Sequence, residues 1–143
     1  MNVVGFEFPD ELHYHVEHQT WARAESDGSV TVGITSMGIG LSGEIYMCRP
    51  KPVGQFVEQG RSVAVVELAK AIVSVRSPLS GTVVQVNEAL STQPELVHLD
   101  PYGQGWIARL AASSWEADAQ ALVHGEPVRQ AMAHHAHLNQ LST

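Results

Sequence analysis

The sequence predicts a mainly β domain, a sandwich or small barrel, that turns helical towards its C-terminus. Three observations carry this expectation. Short runs rich in β-branched residues recur through the first three quarters of the chain, divided by turn-forming residues. They do not alternate with helical patterns, as βαβ units would. From residue 113 onward the composition shifts to alanine-rich.

Taken in order, "WARAE" and "VTVGIT" flank "SDGS", where Asp27-Gly28 is a strong hairpin turn. Further strand runs follow in "GEIYMC", "QFVEQG", "SVAVVEL", "AIVSV", "GTVVQVN" and "GWIARL". Ser42-Gly43-Glu44-Ile45 and Ser80-Gly81-Thr82-Val83 echo one another, which suggests two similar halves. Ser113-Ser114-Trp115-Glu116 has capping-box spacing, and "EADAQALVHG" reads as a helix stopping at Gly125. Pro127 suits the first turn of another helix through "VRQAMAHHAHL". The expected organisation is one domain over 1–143: a β core over about 12–112, a helical segment over about 113–137 and a frayed tail over 138–143.

The stretch "VVELAKAIVSV" poses the central question, because it sets one lysine among small and β-branched residues. A lysine inside a buried strand would cost several kcal/mol in desolvation. "VELAKA" is made of good helix formers, whereas Val63, Val65, Val66, Ile72, Val73 and Val75 favour strands and "RSPLSG" stops any helix. A hairpin with strands near 62–67 and 72–76 resolves the problem by placing Lys70 in water at its tip, although no Gly or Asn marks that turn.

Composition narrows the function. Fifteen acidic residues against eight basic ones leave a formal charge of −7, which disfavours nucleic acid or an anionic membrane as the main partner. The single cysteine, Cys48, excludes an internal disulfide framework and suits a reducing compartment. The N-terminus lacks the pattern of a signal peptide and no apolar run is long enough for a bilayer, so the expected location is the cytoplasm. His134, His135 and His137 do not share one helical face and have no acidic companion, so no metal site is expected. Gly81, Gly103 and Gly105 read as turn and close-approach positions, and Trp21 and Trp106 as core anchors. Cys48 reads as a buried strand residue rather than a reactive thiol beside Arg49 and Lys51.

Ordered matches run through Glu67, Lys70-Ala71, Ser77-Pro78, Ser80-Gly81, Val86-Asn87-Glu88, Pro94-Glu95-Leu96, Asp100-Pro101-Tyr102-Gly103 and Gly105-Trp106. In these residues the chain resembles the H protein of the glycine cleavage system and its relatives. The resemblance implies a flattened β-barrel of two sheets, a barrel-sandwich hybrid of lipoyl-domain type, with short helices around it. It implies lipoic acid in amide linkage on Lys70, with Glu67 recognised by the modifying lipoate ligase or transferase. It also implies a carrier serving partner enzymes rather than an enzyme, expected as a monomer. A biotin carrier is disfavoured because Ala69 and Ala71 flank the lysine where biotin carriers have methionines.

The chain also departs from the H-protein pattern. The segment before Trp21 reads Glu17-His18-Gln19-Thr20, with one residue more than an "EHEW"-like motif and Thr20 where a glutamate is usual. Ser74 stands where the family has an aspartate after the lipoyl lysine, and Leu68-Ala69 replaces the usual Ser-Val. Arg49 and Lys51 add positive charge. These departures resemble the lipoate-binding proteins of the heterodisulfide-reductase-like sulfur oxidation pathway. The preferred expectation is therefore a lipoyl arm carrying sulfur for a heterodisulfide-reductase-like complex, with His18, Thr20, Ser74 and Arg49 as cleft candidates. The alternative is a glycine cleavage H protein carrying an aminomethyl group among the glycine cleavage enzymes. A third reading, of another class, is a binding module in which Lys70 stays unmodified.

Overall fold

A computed structural model describes residues 1–139. Among the described residues, eleven antiparallel strands and a few short helices form a mainly β body of barrel-sandwich type. Strands β3 (His13–His15), β4 (Thr20–Ala24), β5 (Ser29–Ile34), β7 (Phe56–Val57), β10 (Gly81–Val86) and β11 (Ala108–Ala112) make a six-stranded sheet in the order β3-β4-β5-β11-β10-β7. Strands β6 (Met47–Pro50), β8 (Ser62–Glu67) and β9 (Ile72–Arg76) make a three-stranded sheet in the order β6-β8-β9. A small ribbon of β1 (Asn2–Val3) and β2 (Phe6–Glu7) precedes them.

Alternation along the strands supplies the main core. Val30, Val32, Val83 and Leu110 from the larger sheet meet Val63, Ala64, Val66 and Val75 from the smaller one. The Asp27-Gly28 hairpin forms as the sequence indicates: Gly28 takes a φ of 88°, and Asp27 Oδ1 accepts from the Ser29 amide at 3.0 Å.

A second core gathers Phe8, Leu12, Tyr14, Trp21 and Met37 beneath helix α4 (Pro127–Leu138), which contributes Val128, Met132 and Ala136. Trp21 is the buried anchor expected of it, and its indole N–H donates to the Pro101 carbonyl at 3.2 Å. Trp106 is half-buried beneath the Arg109 guanidinium, 5.1 Å from its ring centroid. Helix α4 opens at Pro127 as its first-turn chemistry suggests. Leu138 closes it, and the Asn139 amide bonds back to the His135 carbonyl at 3.1 Å. The rest of the expected tail, 140–143, lies outside the described residues.

Three local expectations differ from the structure. The helix expected to run to Gly125 is only α3 (Trp115–Ala119), and Ser114 makes no side-chain capping bond. Tertiary pairing overrides helix propensity here. Asp118 is held by the Ser80 amide (2.8 Å) and by Gln59 (2.9 Å), and Val123 exchanges two backbone bonds with Tyr14. The two halves of the internal echo also take different backbones. Ser42 ends helix α1 (Ser36–Ser42) with Gly43 at a φ of 83°, whereas Gly81 opens a strand. Helix α1 itself is absent from the sequence reading, which took "VTVGIT" straight on to "GEIYMC".

Candidate functional site

The β8–β9 register pairs Val65 with Ser74, Val66 with Val73 and Glu67 with Ile72. The Leu68 amide then donates to the Ala71 carbonyl at 2.8 Å, leaving Ala69 and Lys70 at an exposed tip. Neither tip residue has a positive φ, so the turn needs no glycine or asparagine. This is why turn chemistry leaves no mark in the sequence. The helical reading of "VELAKA" is not realised. Among the described residues Lys70 joins no ion pair; those found are Met1 with Glu7 and Asp10, and Arg23 with Glu25. Lys70 thus presents an unengaged primary amine on a paired two-strand support.

Strand β6 borders this hairpin, pairing Met47 with Glu67, Cys48 with Val66 and Arg49 with Val65. Arg49, Val65 and Ser74 therefore form one row across the outer face, with Arg49 and Ser74 roughly 10 Å apart at two strand spacings. Arg49 is exposed, and its Nε lies 2.9 Å from Met47 Sδ. In the neighbouring row Cys48 turns inward beside Val66, and burial pushes its thiol up to about 12. It is the inert strand residue the sequence suggested. Glu67 is half-buried at the strand end, and its carbonyl accepts from the Tyr46 amide at 2.8 Å.

Thr20 and His18 sit elsewhere. Gln19 absorbs the extra residue before Trp21 by taking a φ of 55°. Its side chain turns inward, accepting from Thr35 Oγ1 at 2.6 Å and donating to the Val16 carbonyl at 2.7 Å. Thr20 follows on β4, only 1% exposed, and its hydroxyl has no hydrogen-bond partner. His18 lies on an exposed turn with its ring stacked on His15, centroids 4.6 Å apart. Neither residue lines the hollows around Lys70, and neither does Arg49.

Apart from Lys70 and Glu67, those hollows are lined by residues that are not among the expected site residues. Beside the tip, Ser42, Gly43, Glu44 and Tyr46 face Leu68, Lys70 and Ala71. Through Gly43, Glu44 and Tyr46 this hollow continues into an open groove of about 630 Å³ whose other wall includes Ile39, Pro94, Glu95, His98 and Leu99. That volume is in the range of small-ligand sites. Helix α2 (Leu96–Leu99) is tied to the opposite wall by His98, whose Nε2 accepts from the Ile45 amide at 2.9 Å. Its proton therefore sits on Nδ1. The neighbouring Glu44 carboxylate raises the pKa of the Tyr46 phenol. The groove thus carries two carboxylates, Glu44 and Glu95, and neither Arg49 nor Lys51 lines it. Lys51 lines a separate hollow with Phe56 and Arg61. An acylated Lys70 would have apolar walls for its methylenes and acidic groups for a cationic end.

Among the described residues, no group of three or more His, Cys, Asp or Glu side chains could hold a metal ion. No described helix is long and apolar enough to cross a membrane.

Residues 12–135 match the sequence model of the family described as "Glycine cleavage H-protein". Glycine cleavage system H protein 2 of Aquifex aeolicus (strain VF5) is 42% identical over 126 residues, covering 88% of this chain and 78% of that protein. The glycine cleavage system H protein of Cronobacter sakazakii (strain ATCC BAA-894) is 46% identical over 115 residues, covering 80% and 88%. A crystal structure of a glycine cleavage system H protein from Mycobacterium marinum superposes with a TM-score of 0.71 at 28% identity. It covers 93% of this chain and 99% of its own.

Proposed function

This chain belongs to the glycine cleavage H-protein family, and we propose that it carries lipoic acid on Lys70 and serves partner enzymes without catalysing a reaction itself. The observation that carries this reading is the unengaged Lys70 amine at an exposed hairpin tip beside an open groove. Lipoate bound there supplies a disulfide able to accept and release a group by thiol chemistry, on a long mobile arm. The protein's own residues do the rest. The β8–β9 hairpin holds the lysine outward, Glu67 at the strand end is a contact for the lipoate ligase or transferase, and the groove shelters what the arm bears. We place this activity in the cytoplasm, with the carrier acting as a monomer.

The cargo we propose is the aminomethyl group, passed among the glycine cleavage enzymes. The relatives bear that name, and Glu44 and Glu95 give the groove the charge a protonated amine requires. This replaces sulfur, which the sequence departures favoured, as the leading reading. The sulfur cargo keeps one specific observation in its favour: Ser74 and Arg49 share an outer-face row where the family pattern has a carboxylate.

One experiment separates the readings. The lipoylated protein is compared with an authentic H protein as a substrate of glycine decarboxylase. Comparable rates support aminomethyl carriage. Failure there, with uptake of sulfane sulfur by the reduced arm, restores the sulfur reading. A lipoyl mass still gained by Lys70→Arg would remove the attachment site, and no lipoyl mass on the wild type would leave a plain binding module.

A further inference from the structure

We propose that the basic hollow between β7 and the start of β8 is a docking surface for an acidic segment of a partner protein, with Lys51 and Arg61 receiving its carboxylates and Phe56 an apolar side chain. The inference goes beyond the carrier reading and holds whether or not Lys70 is acylated.

Positive charge is unevenly placed in this acidic chain. Its formal charge is −7, yet Arg49, Lys51, Arg61 and Arg76, four of its eight Lys and Arg residues, stand on or beside the three-stranded sheet. Lys51 directly follows β6, and its amide donates to the Val63 carbonyl at 2.9 Å, which sets it beside Arg61 and Ser62 in one hollow. Arg76 pairs with Ser62 across the sheet, and its Nη1 donates to the Gly60 carbonyl at 3.4 Å. Glu58 is the one carboxylate in the lining. Among the described residues neither Lys51 nor Arg61 joins an ion pair, whereas Arg23 is held by Glu25. Like charges gathered in this way repel, so an arriving anion relieves that repulsion as well as making contacts of its own.

Apolar surface adjoins the cations. Phe56 lines the same hollow and is 52% exposed, and Val53, just before β7, is 59% exposed. Strand β7 ends its side of the six-stranded sheet, so among the described residues no strand of that sheet lies along its outer edge. An open edge, an exposed aromatic ring and two unpaired cations suit an extended segment that mixes acidic and apolar side chains. A small anion would use the cations alone and leave the ring uncovered. The length of β8, Ser62–Glu67, sets this surface roughly 17 Å from the hairpin tip. A partner held there stands beside the hairpin and leaves Lys70 free.

The test titrates the full chain with a short acetylated and amidated peptide of glutamates around one leucine, and separately with its glutamine counterpart. Two-dimensional amide NMR reads where each lies. The acidic peptide should shift the amides of Gln55, Phe56, Val57, Arg61 and Ser62, with affinity falling as salt rises. The glutamine peptide should shift them much less. Lys51→Gln combined with Arg61→Gln should weaken binding roughly tenfold, and Phe56→Ser should weaken it too, with melting temperature unchanged in both variants. No binding, equal binding of the two peptides, shifts centred elsewhere, or full affinity in the double variant would each overturn the proposal. So would inorganic phosphate shifting the same amides at lower concentration than the peptide, which would make the occupant a small anion. The same shifts on concentrating the protein alone would make it a second copy of this chain, and would equally overturn the acidic partner.

Discussion

The ring of His13 lies flat on that of His124, with centroids 4.1 Å apart and planes inclined by 13°. Trp115 abuts the same ring edge-on at 5.1 Å, and His124 Nδ1 donates to the Leu12 carbonyl at 2.8 Å. With the two Tyr14–Val123 backbone bonds, this stack clasps the C-terminal segment to β3.

The clasp predicts acid sensitivity. Burial, and then the neighbouring His124, hold His13 below the ordinary histidine value of 6.5. Below that value the unfolded chain binds a proton that the folded chain resists, so stability is full above it and is lost as pH falls towards the depressed value. Melting temperature should be level above pH 7 and fall from pH 6.5 to 5. His13→Phe keeps the stack and should shrink the slope without abolishing it, because burial also lowers His15 and His135. An unchanged slope would exclude His13 as its source.

Thr20→Val should stabilise the protein by about 1 kcal/mol, because it removes a buried hydroxyl without a partner and keeps the branched shape. Denaturant unfolding measures it. A loss of stability would mean that the hydroxyl is satisfied in solution.

Gly81→Ala should cost roughly 1–3 kcal/mol, since a Cβ there would stand 2.5 Å from the Ala111 carbonyl oxygen across the β10–β11 pair. The variant should melt at a lower temperature, and Lys70 should still accept lipoate because the tip is untouched.

Cys48 should resist iodoacetamide at neutral pH and react once denaturant unfolds the sheet. Mass spectrometry with and without denaturant decides this, and rapid labelling of the native protein would contradict its burial.

The hairpin around Lys70 is legible in the sequence because β-branched residues flank the lysine on both sides, and one charged residue in such a run has few places to go, although Ile72 and Val73 themselves stay exposed near the tip. The groove was not legible. Its first wall depends on helix α1, whose Gly38 and Gly40 argue against a helix by propensity. They are present because a side chain at 38 would strike Gln19 and one at 40 the Phe6 ring, contacts distant in sequence. Its second wall needs the His98–Ile45 bond, which joins residues that no local pattern connects. The cleft candidates suffered similarly. Thr20 was placed correctly before Trp21, but only the packed sheet shows that its hydroxyl faces inward.

The glycine-free tip also bears on how a group carried on Lys70 would move. Because neither Ala69 nor Lys70 has a positive φ and both cap a paired hairpin, an acyl arm on Lys70 would swing from a fixed pivot rather than from a wandering loop. A short tether of this kind confines its free end to an effective concentration on the order of millimolar around the protein's own surface. Even a weak, millimolar attraction to the groove would then keep the cargo docked about half the time. A partner enzyme would then have to compete with that surface, and the strength of the contact would set how readily a load on Lys70 is handed over.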